Sequence, residues 1–219
     1  LRRAKTSHLK KAIVFDLDNC LAAANEVGEE LYEPVFDAIL KANRGRLSQQ
    51  SLQQAFEDMW RHPLDWVAQH RGFSEEMLAA AWSVYVTLEV NQPMHGYEDL
   101  EVLRELPVER FLVTSGFRRL QESKIRALGL QQQFAAIFID AIDEQGRIGK
   151  LGIFQQILEQ YHLTSPEILV VGDNASSEIE AANGLGITTV QTLRPGVPRA
   201  PNASFYIQSL AELKVLLSV

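Results

Sequence analysis

Several things are scarce in this 219-residue sequence. Cys20 is its only cysteine, which excludes an internal disulfide and a cysteine-based zinc site and fits a reducing compartment. Basic charge is also short: 21 Lys and Arg against 28 Asp and Glu leave a net charge of −7, without the positive footprint of a nucleic-acid binder. No apolar run approaches the roughly 18 residues that a membrane helix needs, and no repeat or low-complexity tract is present. The opening stretch, Leu1 to Lys11, is basic, but Asp16 interrupts the apolar run behind it too early for a signal-peptide core. It reads as a solvated tail on a cytoplasmic protein with no nucleic-acid or membrane partner. The sequence starts at Leu1 and not at Met, which leaves the true N-terminus open.

What is present is enough apolar material, 46% of residues, for a full core in one domain or a domain with a large insertion. The stretch that organises the rest is Ala12 to Leu21. Ala12 to Phe15 reads as a strand buried on both faces, ended abruptly by Asp16, with a second acid at Asp18. In a parallel α/β sheet ligands bind at the carboxyl ends of strands, and two like charges this close are costly unless a cation or proton lies between them. Taken alone, such a pair also serves as ordinary turn residues, so support has to come from the rest of the chain.

After Cys20 the pattern turns helical. Leu31, Val35, Ile39 and Ala42 recur at helical spacing, as do Leu52, Ala55, Phe56, Met59 and Trp60, and then Leu78, Ala81, Trp82 and Tyr85, with Ser74 as a helix start. A second α/β run follows. Strands are predicted at Phe111 to Val113, Ala136 to Ile139, Ile168 to Val171 and Ile187 to Val190. Helices are predicted through Leu120, Lys124 and Leu128, from Leu151 to Tyr161, and from about Ser176 to Asn183. Ser209-Leu-Ala-Glu212 is a capping box that opens a last helix. Strands alternating with helices imply a Rossmann-like, mostly parallel sheet with helices on both faces. Roughly a hundred residues separate Asp16 from Thr114, far more than the dozen or so that a crossover needs. The expected organisation is therefore an α/β core of residues 1–21 and 96–219 and an inserted helical cap of residues 22–95, hung over the acids.

The polar residues at the predicted strand ends then fall on one edge: Asp16 and Asp18 after the first strand, Thr114 and Ser115 after the second, Lys150 at the helix after the third, and Asp173 after the fourth. In order and spacing, Asp16-Leu-Asp-Asn-Cys20, Leu112-Val-Thr-Ser115, Lys150 and Gly172-Asp-Asn-Ala-Ser-Ser-Glu178 resemble the four motifs of the haloacid dehalogenase superfamily, in its phosphatase branch with a helical cap. The resemblance implies a phosphoryl-transfer site. Asp16 is implied as the nucleophile that forms an aspartyl-phosphate, and Asp18 as general acid and then general base. Mg²⁺ is the implied cofactor, held by Asp16, the backbone carbonyl of Asp18, and Asp173. Lys150 offsets the remaining charge, while Thr114 and Ser115 donate to phosphate oxygens. Glu178 and Asn174 are implied one layer further out, Asn174 as a helix cap.

Within that resemblance, dehalogenases and phosphonate hydrolases lack the second acid, and the cap's only lysine, Lys41, lies on an amphipathic helix instead of serving a phosphonatase imine. The implied activity is hydrolysis of a small phosphomonoester, with phosphoglycolate, a sugar phosphate or a mononucleotide as candidates. A sugar phosphomutase and a catalytically silent binding protein are the alternatives. A two-component receiver would have a different motif order and no cap. Cys20 stands where the family usually has Thr and is expected to be buried and inert. His62, His70 and His95 are expected at the surface, and Trp60, Trp66 and Trp82 in the cap core. The insertion also brings Arg61, His62, Arg71 and aromatic residues as the candidates to meet a leaving group, with Arg61 or Arg71 setting substrate preference if it points into the cleft.

Overall fold

Ala12–Phe15 is apolar at every position, and all four side chains are buried. This is the composition of a strand covered on both faces, and it forms β1 at the centre of the sheet. In the computed structural model, which describes residues 9–217, six strands run parallel in the order β3-β2-β1-β4-β5-β6. They are β1, β2 Glu109–Gly116, β3 Ala136–Ala141, β4 Ile168–Gly172, β5 Thr188–Thr192 and β6 Phe205–Ile207. The expected basic tail lies, up to residue 8, outside the described residues.

Alternation along β1 divides the core. Ile13 and Phe15 pack on one face with Leu112, Leu169, Val171 and Leu213. Ala12 and Val14 pack on the other with Phe111, Val170, Ile153 and Ile157, as a period of two requires. Helices α5 Arg118–Ala127, α6 Gly149–Gln160, α7 Glu180–Gly184 and α8 Leu213–Leu217 flank the sheet. From β1 the chain moves outward through β2 and β3, then crosses to β4 and moves outward on the other side. Phe15 stands in register with Leu112 of β2 and Val171 of β4. The strand order reverses at the β1–β4 junction, and the loops leaving the two strands diverge to open a crevice. Asp16 and Asp173 begin those loops.

Between β1 and β2 lie α1 Glu33–Asn43, α2 Gln49–Asp58, α3 Leu64–Arg71 and α4 Glu75–Tyr85. Ser48 and Ser74 cap α2 and α4 by accepting from the amides of Ser51 and Met77. Val35, Ile39, Met59, Val67, Met77 and Tyr85 form one cluster that extends onto Phe117, Leu120 and Ile142 of the α/β part. Three elements differ from the sequence reading. Helix α3 is an unexpected fourth helix, short and behind Pro63, with too few turns to show a period. Strand β6 is only three residues long and follows a Pro/Gly loop. The chain after β4 enters its helix through a π-type turn, Ala175–Ile179, with Ser177 at φ −121°, ψ −106°, where an ordinary helix start was expected.

The loop that carries Asp18 is fixed from behind. Arg194, after β5, is buried and donates from Nε and Nη2 to the Cys20 carbonyl (3.2 and 3.0 Å) while pairing with both oxygens of Asp99. Asp99 also accepts from the Leu210 amide, and the guanidinium lies 4.1 Å above the Tyr97 ring. Removing one member of such a pair strands the other. Arg194→Ala is expected to cost ~3 kcal/mol, read as a lower urea midpoint with an unchanged m-value. A loss below ~1 kcal/mol would mean that solvent replaces the network.

Candidate active site

The site starts from a charge problem. Asp16, Asp173 and Glu178 are all buried, and each offers a carboxylate oxygen within 4.8 Å of the others. Lys150 answers part of it. Its Nζ donates to Asp16 Oδ1 (2.7 Å) and to Glu178 Oε2 (2.8 Å), placed there by the first turn of α6, which Gly149 enters at φ 68°. The other Glu178 oxygen accepts from the Asn174 amide (2.6 Å). This carboxylate rests against Gly172, where a β-carbon would overlap it; the π-type turn aims Glu178 back under the crevice, a frequent location for such turns at functional sites.

Asp18 is half-buried and held from the opposite wall. Lys124 Nζ donates to its two oxygens (2.9 and 3.0 Å), and Gln121 Nε2 to one of them (3.2 Å). Thr114 is buried in β2. The Ser115 hydroxyl donates to Asp140, which also accepts from the Gly149 amide and pairs with Arg147. Together these groups line a cleft of about 470 Å³ whose other wall is Trp60, His62 and Trp66 of the inserted segment. Every site residue expected from the sequence, Asp16, Asp18, Thr114, Ser115, Lys150, Asp173, Asn174 and Glu178, lines this one cleft.

A family model described as a haloacid dehalogenase-like hydrolase matches residues 10–186. The chain belongs to that family. It is 26% identical over 200 residues to a glyceraldehyde 3-phosphate phosphatase of Methanopyrus kandleri, covering 84% of each chain. Two solved structures share its fold. One is a haloacid dehalogenase (HAD) phosphatase of Thermococcus onnurineus, with TM-score 0.62, 24% identity, and 94% of this chain and 97% of that one covered. The other is a HAD-hydrolase of Bacillus subtilis bound to magnesium, with TM-score 0.63, 14% identity, and 96% and 99% covered.

In this hydrolase the acids outnumber the cations at the cleft. Asp16, Asp18, Asp173 and Glu178 face Lys150 and Lys124, an excess that a divalent cation would cancel. Carboxylate oxygens are the donor set that a hard ion such as Mg²⁺ takes, so the residues fit the metal. The Asp18 side chain is turned to Lys124. Glu178, expected further out, is nearer than the sequence indicated.

Burial, Glu178 and Asp18 push the Asp16 carboxyl up to about 7 against the pull of Lys150. Burial and the neighbouring acids push Asp173 up to about 8. For Lys150, burial works against the charge, but Asp16 and Glu178 outweigh it and raise its pKa; Lys124 follows the same pattern, with Asp18 as its main partner.

Lys124 and Gln121, which hold Asp18, were not singled out in the sequence. Lys124 was read only as one step of a helical period. Its signal was that it shares the inward stripe with Leu120, together with Gln121, so that this face of α5 buries polar groups. Cys20 is fully buried with its Sγ 3.6 Å from the Val171 carbonyl, and burial pushes the thiol well up, consistent with an inert group. Arg71 pairs with Asp58 and does not line the cleft, whereas Arg61 does. The tryptophans pack into the helical cluster as expected, but Trp60 and Trp66 also face the cleft. His70 and His95 are exposed. His62 is half-buried, stacks on Trp66 at 3.7 Å and lines the cleft, unlike the surface position expected.

The raised carboxyls set a stability slope. In the unfolded chain both acids titrate near pH ~4, so between there and about 8 the native metal-free protein holds more protons than the unfolded one, and stability falls as pH rises. Thermal unfolding of EDTA-treated protein should therefore show Tm declining from pH 5 to 8. Added Mg²⁺ should raise Tm more at pH 8 than at pH 5. An equal rise at both would contradict the carboxylate cluster as the binding site.

Proposed function

We propose that this hydrolase is a magnesium-dependent phosphatase of small phosphomonoesters, working through an aspartyl-phosphate on Asp16. The observation that carries the reading is the position of Asp16, at the switch point of the sheet, between Lys150 on one side and the cleft shared with Asp18 on the other. Asp16, Asp173 and the backbone carbonyl of Asp18 would hold the metal, with Glu178 beside them. When bound, it supplies charge neutralisation to the phosphoryl oxygens.

The chain's own groups do the rest. A carboxylate oxygen of Asp16 attacks phosphorus, and the bond to the leaving alcohol breaks in line. Asp18, oriented by Lys124 and Gln121, protonates the departing oxygen. It then takes a proton from water as that water attacks phosphorus and frees Asp16. Lys150 fixes the orientation of Asp16, and the Thr114 hydroxyl and the Ser115 backbone amide donate to phosphate oxygens.

Residues 22–95 serve as a cap over the core of residues 1–21 and 96–219, and the leaving group lies between them. A relative named as a glyceraldehyde 3-phosphate phosphatase adds a three-carbon phosphate to phosphoglycolate, sugar phosphates and mononucleotides as candidates for this small phosphorylated partner. Among the described residues no helix is long and apolar enough to cross a membrane; a cytoplasmic location is part of the proposal.

Phosphate release from p-nitrophenyl phosphate and a metabolite panel should require Mg²⁺ and vanish in EDTA. Asp16→Asn should abolish both turnover and acid-stable capture of labelled phosphate. Asp18→Asn should capture phosphate slowly and release it more slowly still, with kcat down by about 10²–10⁴-fold. Capture of label by Asp16→Asn would disprove the nucleophile assignment. Arg61→Ala should reorder substrate preference, while Arg71→Ala should leave the ranking as it is; a reordering by Arg71→Ala would contradict its position outside the cleft.

A further inference from the structure

Two asparagines each directly follow an acid of the site: Asn19 after Asp18, and Asn174 after Asp173. Their side-chain amides reach the same place. Asn19 Nδ2 donates to the Trp60 carbonyl and Asn174 Nδ2 to the next carbonyl, that of Arg61, each at 3.3 Å. Both carbonyls belong to the turn between α2 and α3 that forms the far wall of the cleft. The orientation of each amide is fixed by its other end. Asn19 Oδ1 accepts from the Ala24 amide (3.1 Å), and Asn174 Oδ1 from the Ser176 amide (3.0 Å), which leaves only the NH₂ groups to face the turn. Among the described residues Asn19 is also one of three non-glycine residues with positive φ, at 55°, a conformation that asparagine tolerates better than most.

The same turn and the start of α3 are tied at two further points. Arg61 Nη2 donates to the Gly196 carbonyl, and Asp65 pairs with Arg147 (2.6 Å), whose other nitrogen holds Asp140 (2.7 Å). Asp140 in turn accepts from Ser115 and from the amide of Gly149. Each loop that presents a reactive group thus has a polar hold on the segment of residues 59–65.

We propose that Asn19 and Asn174 are positioning residues that form a clasp, making the arrangement of the Asp18 and Asp173 loops depend on docking of the α2–α3 turn. The proposal rests on the phosphatase reading for its catalytic consequence, and on geometry alone for the clasp. When the turn docks, both loops gain a second anchor and the cleft is closed on the side of the leaving group. When it lifts, the acids keep their core contacts but lose that anchor.

Asn→Asp substitution separates this role from local structure, because the acceptor oxygen that serves Ala24 or Ser176 remains while the donor to the turn is lost. Asn174→Ser does the same for Asn174 without adding charge, since a serine hydroxyl can still cap the following turn. In magnesium buffer without substrate, amide hydrogen exchange at residues 59–66 should accelerate about 5–10-fold in Asn19→Asp, Asn174→Asp and Asn174→Ser, the effect of one lost hydrogen bond. With the best panel substrate, kcat should fall by about tenfold while KM changes by less than about threefold. The double variant Asn19→Asp/Asn174→Asp should be about as slow as the slower single variant, because one turn is released in each case.

Unchanged exchange in all variants would overturn the clasp, whatever the activity. Faster exchange with wild-type kcat would overturn the coupling. A loss of kcat in Asn174→Asp but not in Asn174→Ser would also overturn it, by tracing the effect to charge. If the wild-type enzyme released no phosphate from any substrate, the phosphatase reading would fail while the exchange result still decided the clasp.

Discussion

The structure depends on one buried ammonium group. Lys150 bridges Asp16 and Glu178 at hydrogen-bond distance in a cluster whose acids would otherwise repel one another at low dielectric. Its location follows from the fold: β3 ends at the sheet edge, Gly149 turns the chain into α6, and the first turn of that helix points over β1. The remaining negative charge then has to be met by something from outside. The same repulsion that is costly to the folded chain makes this a cluster that could take a cation, so stability and the proposed function draw on the same electrostatics in opposite senses.

The topology explains why these groups meet at all. Asp16 and Asp173 are far apart in sequence, yet each follows one of two neighbouring strands at the only point where the strand order reverses. Crossovers on either side carry their helices away from that junction, so the crevice stays open without any element being cut short. The long insertion leaves from the same edge. Its helices bury their apolar faces against each other and against Phe117 and Leu120, so the wall opposite the acids is supported by packing with the core and is not a free appendage.

Much of this was legible in the sequence because it rests on short-range patterns. The fully apolar runs Ala12–Phe15 and Ile168–Val171, each followed by Asp, marked the two central strands and their acids, and the distance between Asp16 and Thr114 marked the insertion. The Ser74 and Ser209 caps were readable from side-chain chemistry at a helix start. Less was legible where long-range geometry decides. Strand β6 is too short to show alternation and is a strand only because β5 offers it an edge. The ion pair of Lys124 with Asp18 joins residues that no local pattern connects, and a lysine at an inward position of α5, beside Gln121, was its trace. Glu178 owes its position to the distorted turn at Ser177, which sequence periodicity smooths into an ordinary helix.

The placement of the tryptophans has a separate consequence. The sequence contains three, Trp60, Trp66 and Trp82, and all lie in the inserted segment between β1 and β2, with none in the sheet or its flanking helices. Trp60 and Trp66 line the cleft, and Trp66 is sandwiched between the rings of His62 and His70 at 3.7 and 3.9 Å. Tryptophan emission, excited at wavelengths that tyrosine does not absorb, therefore originates in the inserted segment alone. The α/β half is optically dark at those wavelengths, and the emission is a native reporter of what happens at the wall opposite the acids, with no label to introduce.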